Sequence, residues 1–283
     1  MANFNLADVK TLREQLGTGM VDTKNALVEA EGDLEKATEI LRLKGAKGNA
    51  KRADRSTSEG LVAAKDNGAS TTLIELACET DFVAKNEKFV ALADKVLEAV
   101  AASGAASVEE ALAAPATSTG SGQAGDKTVG QLIDDEAAIL GEKVELRRVA
   151  LVSGEKFATY LHKTSKDLPP QIGVVVSYSG DDAETARAVA QHIAMFDPQY
   201  LTREDVPAEV VDKERDIVTE ISKNEGKPEA ALPKIVEGRL TGFFKQVALL
   251  EQDYARDSKV QVKKVLADAK LDVTGFARFK VGA

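Results

Sequence analysis

The groups that could do chemistry in this chain are few and poorly spaced for it. The two histidines, His162 and His192, are far apart in sequence and have no cysteine near either, so no metal-ligand spacing appears. No Gly-x-Ser-x-Gly elbow occurs. The single cysteine, Cys78, lies inside the apolar run Leu73-Ile74-Glu75-Leu76-Ala77-Cys78. It reads as a small core residue before it reads as a nucleophile. The run Gly120-Ser121-Gly122-Gln123-Ala124-Gly125-Asp126-Lys127-Thr128 approaches a phosphate loop. However, Asp126 splits the required Gly-Lys pair and would put negative charge where phosphate sits, and no strand precedes it. Carboxylates are abundant, but nothing in the sequence pairs them into an acid–base site. An enzyme is left open by these residues but finds no support in them.

The residues with most to offer are Glu79-Thr80-Asp81-Phe82-Val83-Ala84-Lys85-Asn86-Glu87-Lys88-Phe89. They follow a strand pattern and precede a helical one, so Asp81 and Phe82 fall in a connection from which side chains can project. The ring of Phe82 either caps the core or reaches outward. Met20 poses the same choice in the loop Gly17-Thr18-Gly19-Met20: it is an exposed apolar contact or it closes a small core.

The elements that must hold these residues can be read from periodicity. Leu6, Val9, Leu12 and Leu16 predict a first helix, Val21 to Ala30 a second, and Leu34, Ala37, Ile40 and Leu41 a third that Asp33 caps. Residues 44–58 are rich in Lys and Arg with Asp54 as the one acid, which reads as a solvated linker or, less simply, as a contact for RNA or phosphate. From residue 60 the period changes. Leu61–Ala64, the turn Asp66-Asn67-Gly68 and Thr71–Cys78 predict a hairpin, and Glu87–Ala101 a helix. A Gly/Ser/Thr-rich flexible surface loop is expected over 113–127, with a short helical piece around Val108–Leu112 before it, a helix over Val129–Leu140 and a strand over Val144–Leu151 after it. Strands at Phe157–His162 and Ile172–Tyr178, a Gly180-Asp181-Asp182 turn and a helix at Ala183–Met195 repeat the plan of hairpin then helix. Two related α+β subdomains follow from that repetition. Residues 208–250 predict a helical pair with apolar stripes around Ile217 and Phe243, which would suit self-association. Val260–Leu266 and Val273–Val281 then read as a helix and a strand returning to the second subdomain.

Composition limits the alternatives. With 283 residues the chain can bury a substantial core and favours two or more domains. It is 43% hydrophobic, 29% charged and 5% aromatic, close to an ordinary globular protein. A formal net charge of −9 argues against broad binding to nucleic acid or anionic membrane while permitting local basic patches. The lone cysteine excludes an internal disulfide and fits a reducing cytoplasm. No secretory signal is expected at Met1-Ala2-Asn3-Phe4-Asn5, and no window approaches a membrane span.

The segment around Thr80-Asp81-Phe82-Val83 resembles the signature of the elongation factor Ts family. Leu16-Gly17-Thr18-Gly19-Met20-Val21-Asp22-Thr23-Lys24-Asn25-Ala26-Leu27, Ile139-Leu140-Gly141-Glu142-Lys143-Val144-Glu145-Leu146-Arg147-Arg148 and His192-Ile193-Ala194-Met195 resemble it too. Val236-Glu237-Gly238-Arg239 and Val273-Thr274-Gly275-Phe276-Ala277-Arg278-Phe279 complete a set that runs in family order across nearly the whole chain. The resemblance implies an α+β protein. A ubiquitin-associated-like three-helix bundle with a basic linker would occupy 1–54. Core subdomains with antiparallel sheets would occupy 55–150, and 151–200 with 251–283. An inserted helical hairpin at 201–250 would support a homodimer or a 2:2 complex.

The activity it implies is guanine-nucleotide exchange on elongation factor Tu, a GTPase, without a cofactor and without direct nucleic-acid or membrane contact. Thr80, Asp81, Phe82 and Val83 would sit near the partner's magnesium site. Met20, Val21, His162 and Tyr254 would make further contacts. The sequence stops at Ala283, so the C-terminal helical module of some members is expected to be absent. Rival readings are an adaptor that binds helical partners through its bundle, and a hydrolase, for which no nucleophile–base pair exists.

Overall fold

A computed structural model describes residues 4–16, 18–116 and 127–283. The chain opens with α1 (Leu6–Leu16), α2 (Met20–Glu29) and α3 (Leu34–Arg52). Val9, Leu12, Ala26, Leu27, Ala37 and Leu41 meet inside this bundle, and the Asp33 carboxylate caps α3 by accepting from the Glu35 and Lys36 amides. The first mixed unit is β1 (Glu59–Asp66), β2 (Ser70–Cys78), α4 (Asp81–Ala84), α5 (Glu87–Ser103), α6 (Val108–Ala113), α7 (Val129–Leu140) and β3 (Val144–Ser153). The second is β4 (Lys156–His162), β5 (Ile172–Ser179) and α8 (Ala183–Phe196). After the helical pair α9 (Ala208–Asn224) and α10 (Leu232–Val247) it resumes with β6 (Asp253–Tyr254), β7 (Asp257–Gln261), α11 (Val262–Asp268) and β8 (Asp272–Lys280).

The expected repetition is present in the topology. The order β1-β2-β3 makes one antiparallel sheet and β4-β5-β8 another, each with the second strand of its hairpin in the centre. The two sheets pack face to face. Alternation along the strands decides which side each residue serves. Leu61, Ile74, Leu76 and Cys78 turn toward α5, α6 and α7, whereas Val62 and Leu73 turn toward the other sheet. In the second sheet Val174, Val176 and Tyr178 turn toward α8 and α11, and Val175 and Phe279 toward the first sheet. The space between the sheets also takes Glu75, which is fully buried. Arg148 and Arg147 pair with its carboxylate, and the Gly282 amide donates to it at 3.4 Å. The chain terminus is thereby tied across both sheets.

Two expectations need correction. Residues 44–52 are not linker: α3 runs on through them to Arg52. Propensity did not favour this, since Gly45 and Gly48 are poor helix formers. The helix is held by docking on α7, where Gly45 lies so close that a Cβ there would come within 2.9 Å of the Ala138 Cβ. Asn49 Nδ2 donates to the Asp134 carbonyl at 2.8 Å in the same contact. The stretch before α11 contains the β6–β7 hairpin, too short to leave a period in the sequence. The expected loop over 113–127 and the phosphate-loop-like run lie largely outside the described residues, as does Gly17. At the base of that loop the Ala116 amide donates to the Lys127 carbonyl at 2.8 Å.

His192 is enclosed in the second core. Its ring stacks on Phe196 at 4.7 Å and faces Tyr254 at 5.9 Å. The Ala255 amide donates to Nδ1 at 3.1 Å, so the neutral ring carries its proton on Nε2 and donates to Gln252 Oε1 at 2.8 Å. Burial lowers its pKa against the opposing pull of the Gln252 hydrogen bond. The unfolded chain therefore binds more protons than the folded one just below the ordinary histidine pKa of about 6.5, and stability rises with pH through that window. Acidifying from about pH 7 to about pH 5 should cost the wild type stability that His192→Gln does not lose, read as the difference in melting temperature between the two at each pH.

Candidate functional site

At the end of β2 the chain makes a single helical turn, α4, where the sequence suggested an open connection. Thr80 caps it by accepting from the Val83 amide at 3.4 Å. Val83 and Ala84 are buried in the first core and pin the turn from below. Glu142, from the loop between α7 and β3, clamps it from the side. One carboxylate oxygen accepts the Thr80 amide at 3.0 Å and the other the Thr80 hydroxyl at 2.6 Å. Next to it Glu79 accepts from the Lys143 amide at 2.6 Å and pairs with Arg55 at 3.0 Å. Partial burial would raise the Glu79 pKa, but those donors outweigh it and hold the carboxyl below its usual range. Cys78 lies under the turn, and burial, with the nearby Glu142 charge, pushes its thiol up to about 12. It is a core residue with no nucleophilic character at neutral pH.

A turn held so firmly from below and beside leaves its outer side chains where packing does not reach them. Phe82 is 73% exposed, which settles between capping the core and reaching outward. The Lys85 ammonium lies 4.5 Å above its ring centroid and also pairs with Asp81 at 3.1 Å. A single exposed apolar residue is ordinary in itself; what sets this ring apart is that it stands on a turn fixed by buried Val83 and Ala84 and by Glu142. Removing the clamp should loosen the turn. Glu142→Ala should cost about 2 kcal/mol of stability, the scale of hydrogen bonds to a charged acceptor. It should also speed hydrogen exchange at the Thr80 amide, with Glu142→Gln intermediate because it keeps one acceptor oxygen.

The second unit brings His162 to the same end of the sheets. The His162 carbonyl accepts from the Gln171 amide at 2.8 Å, and Gln171 Nε2 donates to the Gly60 carbonyl at 2.8 Å. Glu59 and Gly60 pair with Cys78 and Ala77, just before the turn. Leu168, in the loop between His162 and Gln171, packs on the first core. The imidazole of His162 is exposed and its Nδ1 shares a hydrogen bond with Tyr160 Oη at 2.9 Å. Met20 and Val21, in the first turn of α2, are 48% and 69% exposed, so Met20 does not close the bundle core. They stand beside a groove of about 850 Å³ between bundle and core, lined by Gly19, Asp22, Arg52, Asp134, Ala138 and Lys143. Tyr254 lies apart from these. Its ring is buried in the second core against His192, which leaves little of it for a partner.

The residues that sequence reasoning passed over are the ones that position the turn: Glu142, Arg55, Lys143, and Gln171 across the sheets. Glu142 and Lys143 lie within a motif already singled out, but nothing in it says where their side chains point. Among the described residues no cluster of His, Cys, Asp and Glu is arranged to hold a metal ion, and no helix is long and apolar enough to cross a membrane. What the arrangement offers is a firm apolar projection flanked by charge, suited to pressing on another macromolecule.

The family described as elongation factor TS matches this chain over residues 79–283. A protein of Leifsonia xyli subsp. xyli called elongation factor Ts is 72% identical over 284 residues, covering the whole of both chains. Proteins of the same name from Clavibacter michiganensis subsp. michiganensis and Micrococcus luteus are 71% identical over 283 residues and 54% over 285, again with both chains covered in full.

Proposed function

The chain belongs to the elongation factor Ts family, and from that premise we propose that it is a guanine-nucleotide exchange factor for elongation factor Tu in the cytoplasm. It binds Tu carrying GDP, disturbs the magnesium and phosphate site and so promotes GDP release. The observation that carries this reading is the exposed Phe82 on a turn that Glu142 and the buried Val83 hold fixed. Asp81 and Phe82 touch the partner, whereas Thr80 and Val83 keep them in position. Exposed His162 flanks them, and Met20 and Val21 give the bundle its own contact. Tyr254 serves packing.

No group of this chain reacts; it is not an enzyme, and its work is done by binding energy. Magnesium and backbone donors hold the GDP phosphates in such a GTPase. Nanomolar GDP affinity corresponds to about −12 kcal/mol. Speeding release by about four decades requires lowering the barrier by about 5.5 kcal/mol. A ring pressed between elements of the partner's metal site supplies that only if the turn does not yield, which is the purpose of the clamp. Linkage makes the effect mutual: whatever weakens GDP is weakened by GDP equally. The test is elongation factor Tu loaded with a fluorescent GDP. Adding this chain should accelerate signal decay, and excess GDP should dissociate the complex; unchanged decay, or a complex indifferent to GDP, would overturn the proposal.

The helical pair serves self-association. Val218, Val236, Leu240 and Phe244 fill the space between α9 and α10, and Phe243 is partly covered there. Ile217 and Ile221, one turn apart on α9, remain 44% and 43% exposed. Ile217→Lys with Ile221→Lys should halve the mass measured by light scattering and leave the melting temperature nearly unchanged; an unchanged mass rejects this role.

A further inference from the structure

The helical bundle and the Thr80–Val83 turn are held by one stretch of the core. α7 carries the bundle: Gly45 packs against Ala138, and Asn49 Nδ2 donates to the Asp134 carbonyl. α7 ends at Gly141, a left-handed cap, and Glu142 and Lys143 follow at once. Glu142 is the clamp on Thr80. Lys143 holds the chain that enters from the bundle. Its Nζ donates to the Arg55 carbonyl at 3.1 Å and pairs with Glu145 at 3.2 Å. Its amide donates to Glu79, whose carboxylate also takes the Arg55 guanidinium. The tether of the bundle and the turn are thus held by neighbouring residues on both sides, 79 and 80 on one and 142 and 143 on the other.

That tether has little slack. The Arg55 amide donates to the Arg52 carbonyl at 3.0 Å, so the chain stays turned after α3. Thr57 is buried, donates its hydroxyl to Glu145 and accepts from Arg147 at its carbonyl. Among the described residues, Asn49 makes the one hydrogen bond from α1, α2 or α3 to the core. A helix docked only at Gly45 and Asn49 is free to pivot there, and the groove of about 850 Å³ between bundle and core gives it room. The latch at Arg55 fixes α3 a second time, at its far end, about 10 Å along the helix from Gly45.

We propose that Arg55 and Lys143 are positioning residues that lock the bundle to the turn, so that the Met20 and Val21 contacts act on the rate of GDP release and not on affinity alone. The proposal rests on the reading of Phe82 and Met20 as contacts with the GTPase. The argument is one of differential binding. A bundle on a loose tether makes the same contacts before and during release. Such uniform binding lowers the concentration needed and leaves the maximum rate unchanged. A bundle fixed to the support of the ring seats fully only as the ring inserts, so its binding energy is delivered at the barrier. Arg55 and Lys143 act through the geometry they impose and need no contact of their own with the partner.

Two measurements on the full chain test it. In the first, spin labels are placed at Lys24→Cys in α2 and Lys95→Cys in α5, both exposed, with buried Cys78 left unlabelled. Pulsed dipolar spectroscopy of the free protein should give one narrow distance distribution. Arg55→Ala with Lys143→Ala should broaden it, and Arg55→Lys with Lys143→Arg should keep it narrow. In the second, unlabelled protein is titrated against elongation factor Tu loaded with fluorescent GDP. Met20→Ala alone should lower the maximum rate about fivefold, the scale of a contact worth about 1 kcal/mol. The Ala pair should lower it as much, and adding Met20→Ala to that pair should then raise only the half-saturating concentration. Arg55→Ala alone, at a half-exposed residue, should act in the same direction and serves if the pair folds poorly. Hydrogen exchange at the Thr80 amide should stay as in wild type; faster exchange there would assign the effect to the Glu142 clamp and overturn the proposal. A distribution that stays narrow in the Ala pair overturns it, as does a Met20→Ala loss of maximum rate that is equal in both backgrounds. A wild type that leaves GDP release unchanged, with the distribution broadening as expected, refutes the exchange reading and the effect on rate while upholding the latch.

Discussion

Phe82→Ala should leave the free protein's melting temperature within about 2 °C of wild type and slow GDP release from elongation factor Tu by about 30-fold or more. The first half follows from exposure: a ring 73% exposed has little packing to lose, and such substitutions usually fall within about 0.5 kcal/mol. The second follows from what a projecting aromatic does in an interface. Truncating a central aromatic anchor costs about 2 kcal/mol or more, which is about 30-fold in rate if the contact is made mainly in the transition state for release. A core phenylalanine would behave in the opposite way, losing about 3–5 kcal/mol of stability. Asp81→Ala should slow release in the same direction but less, and it frees Lys85, which otherwise pairs with Asp81 and covers the ring. Binding should weaken less than exchange because the bundle and His162 contacts remain. Thermal denaturation and GDP release measured on one Phe82→Ala sample decide it, and a destabilised protein with normal exchange would refute the assignment.

Gly60→Ala should have the largest effect on stability. Gly60 has φ of +146°, a conformation that L side chains rarely adopt. A Cβ there would strike the Leu76 carbonyl and come within 2.8 Å of the Ala77 Cα, both backbone atoms of the central strand β2. Neither can yield without disturbing the ladder. Strain and overpacking together suggest about 3 kcal/mol or more, a fall of about 8 °C in melting temperature for a chain of this size. The same shift would move the Gly60 carbonyl from Gln171 Nε2, the link between the Thr80–Val83 turn and the His162 end of the second sheet. Exchange should therefore fall as well, even where the protein remains folded. Gly68→Ala is the control: Gly68 has φ of +86° but nothing within 4 Å of a Cβ, so only the backbone strain remains, about 1 kcal/mol. Equal losses from the two substitutions would show that the contact with β2 is not the cause.

Local regularities made the element order legible in the residues. Val129–Leu140 has the expected bounds because its apolar spacing, a Thr128–Gln131 capping box and Gly141 in a left-handed cap all agree. The hairpins and the recurrence of hairpin then helix were readable for the same reason: alternation and Asn-Gly or Gly-Asp turns are properties of neighbouring residues. The motif around Thr80–Val83 was identifiable as a short run in a family order. What could not be read was how distant segments meet. The eight residues from Gly45 to Arg52 are helical because α7 lies against them, against the weak propensity of Gly45 and Gly48. Phe82 faces solvent and Tyr254 does not, though both are aromatics in very short elements, α4 and β6. The difference lies in Glu142, far along the chain, which fixes the first turn so that its ring points out, and in His192, which gives the second ring a surface to stack on. Sequence determines local conformation through neighbours a few residues away; only the tertiary structure decides which side chains remain free to act, because exposure depends on everything packed around them.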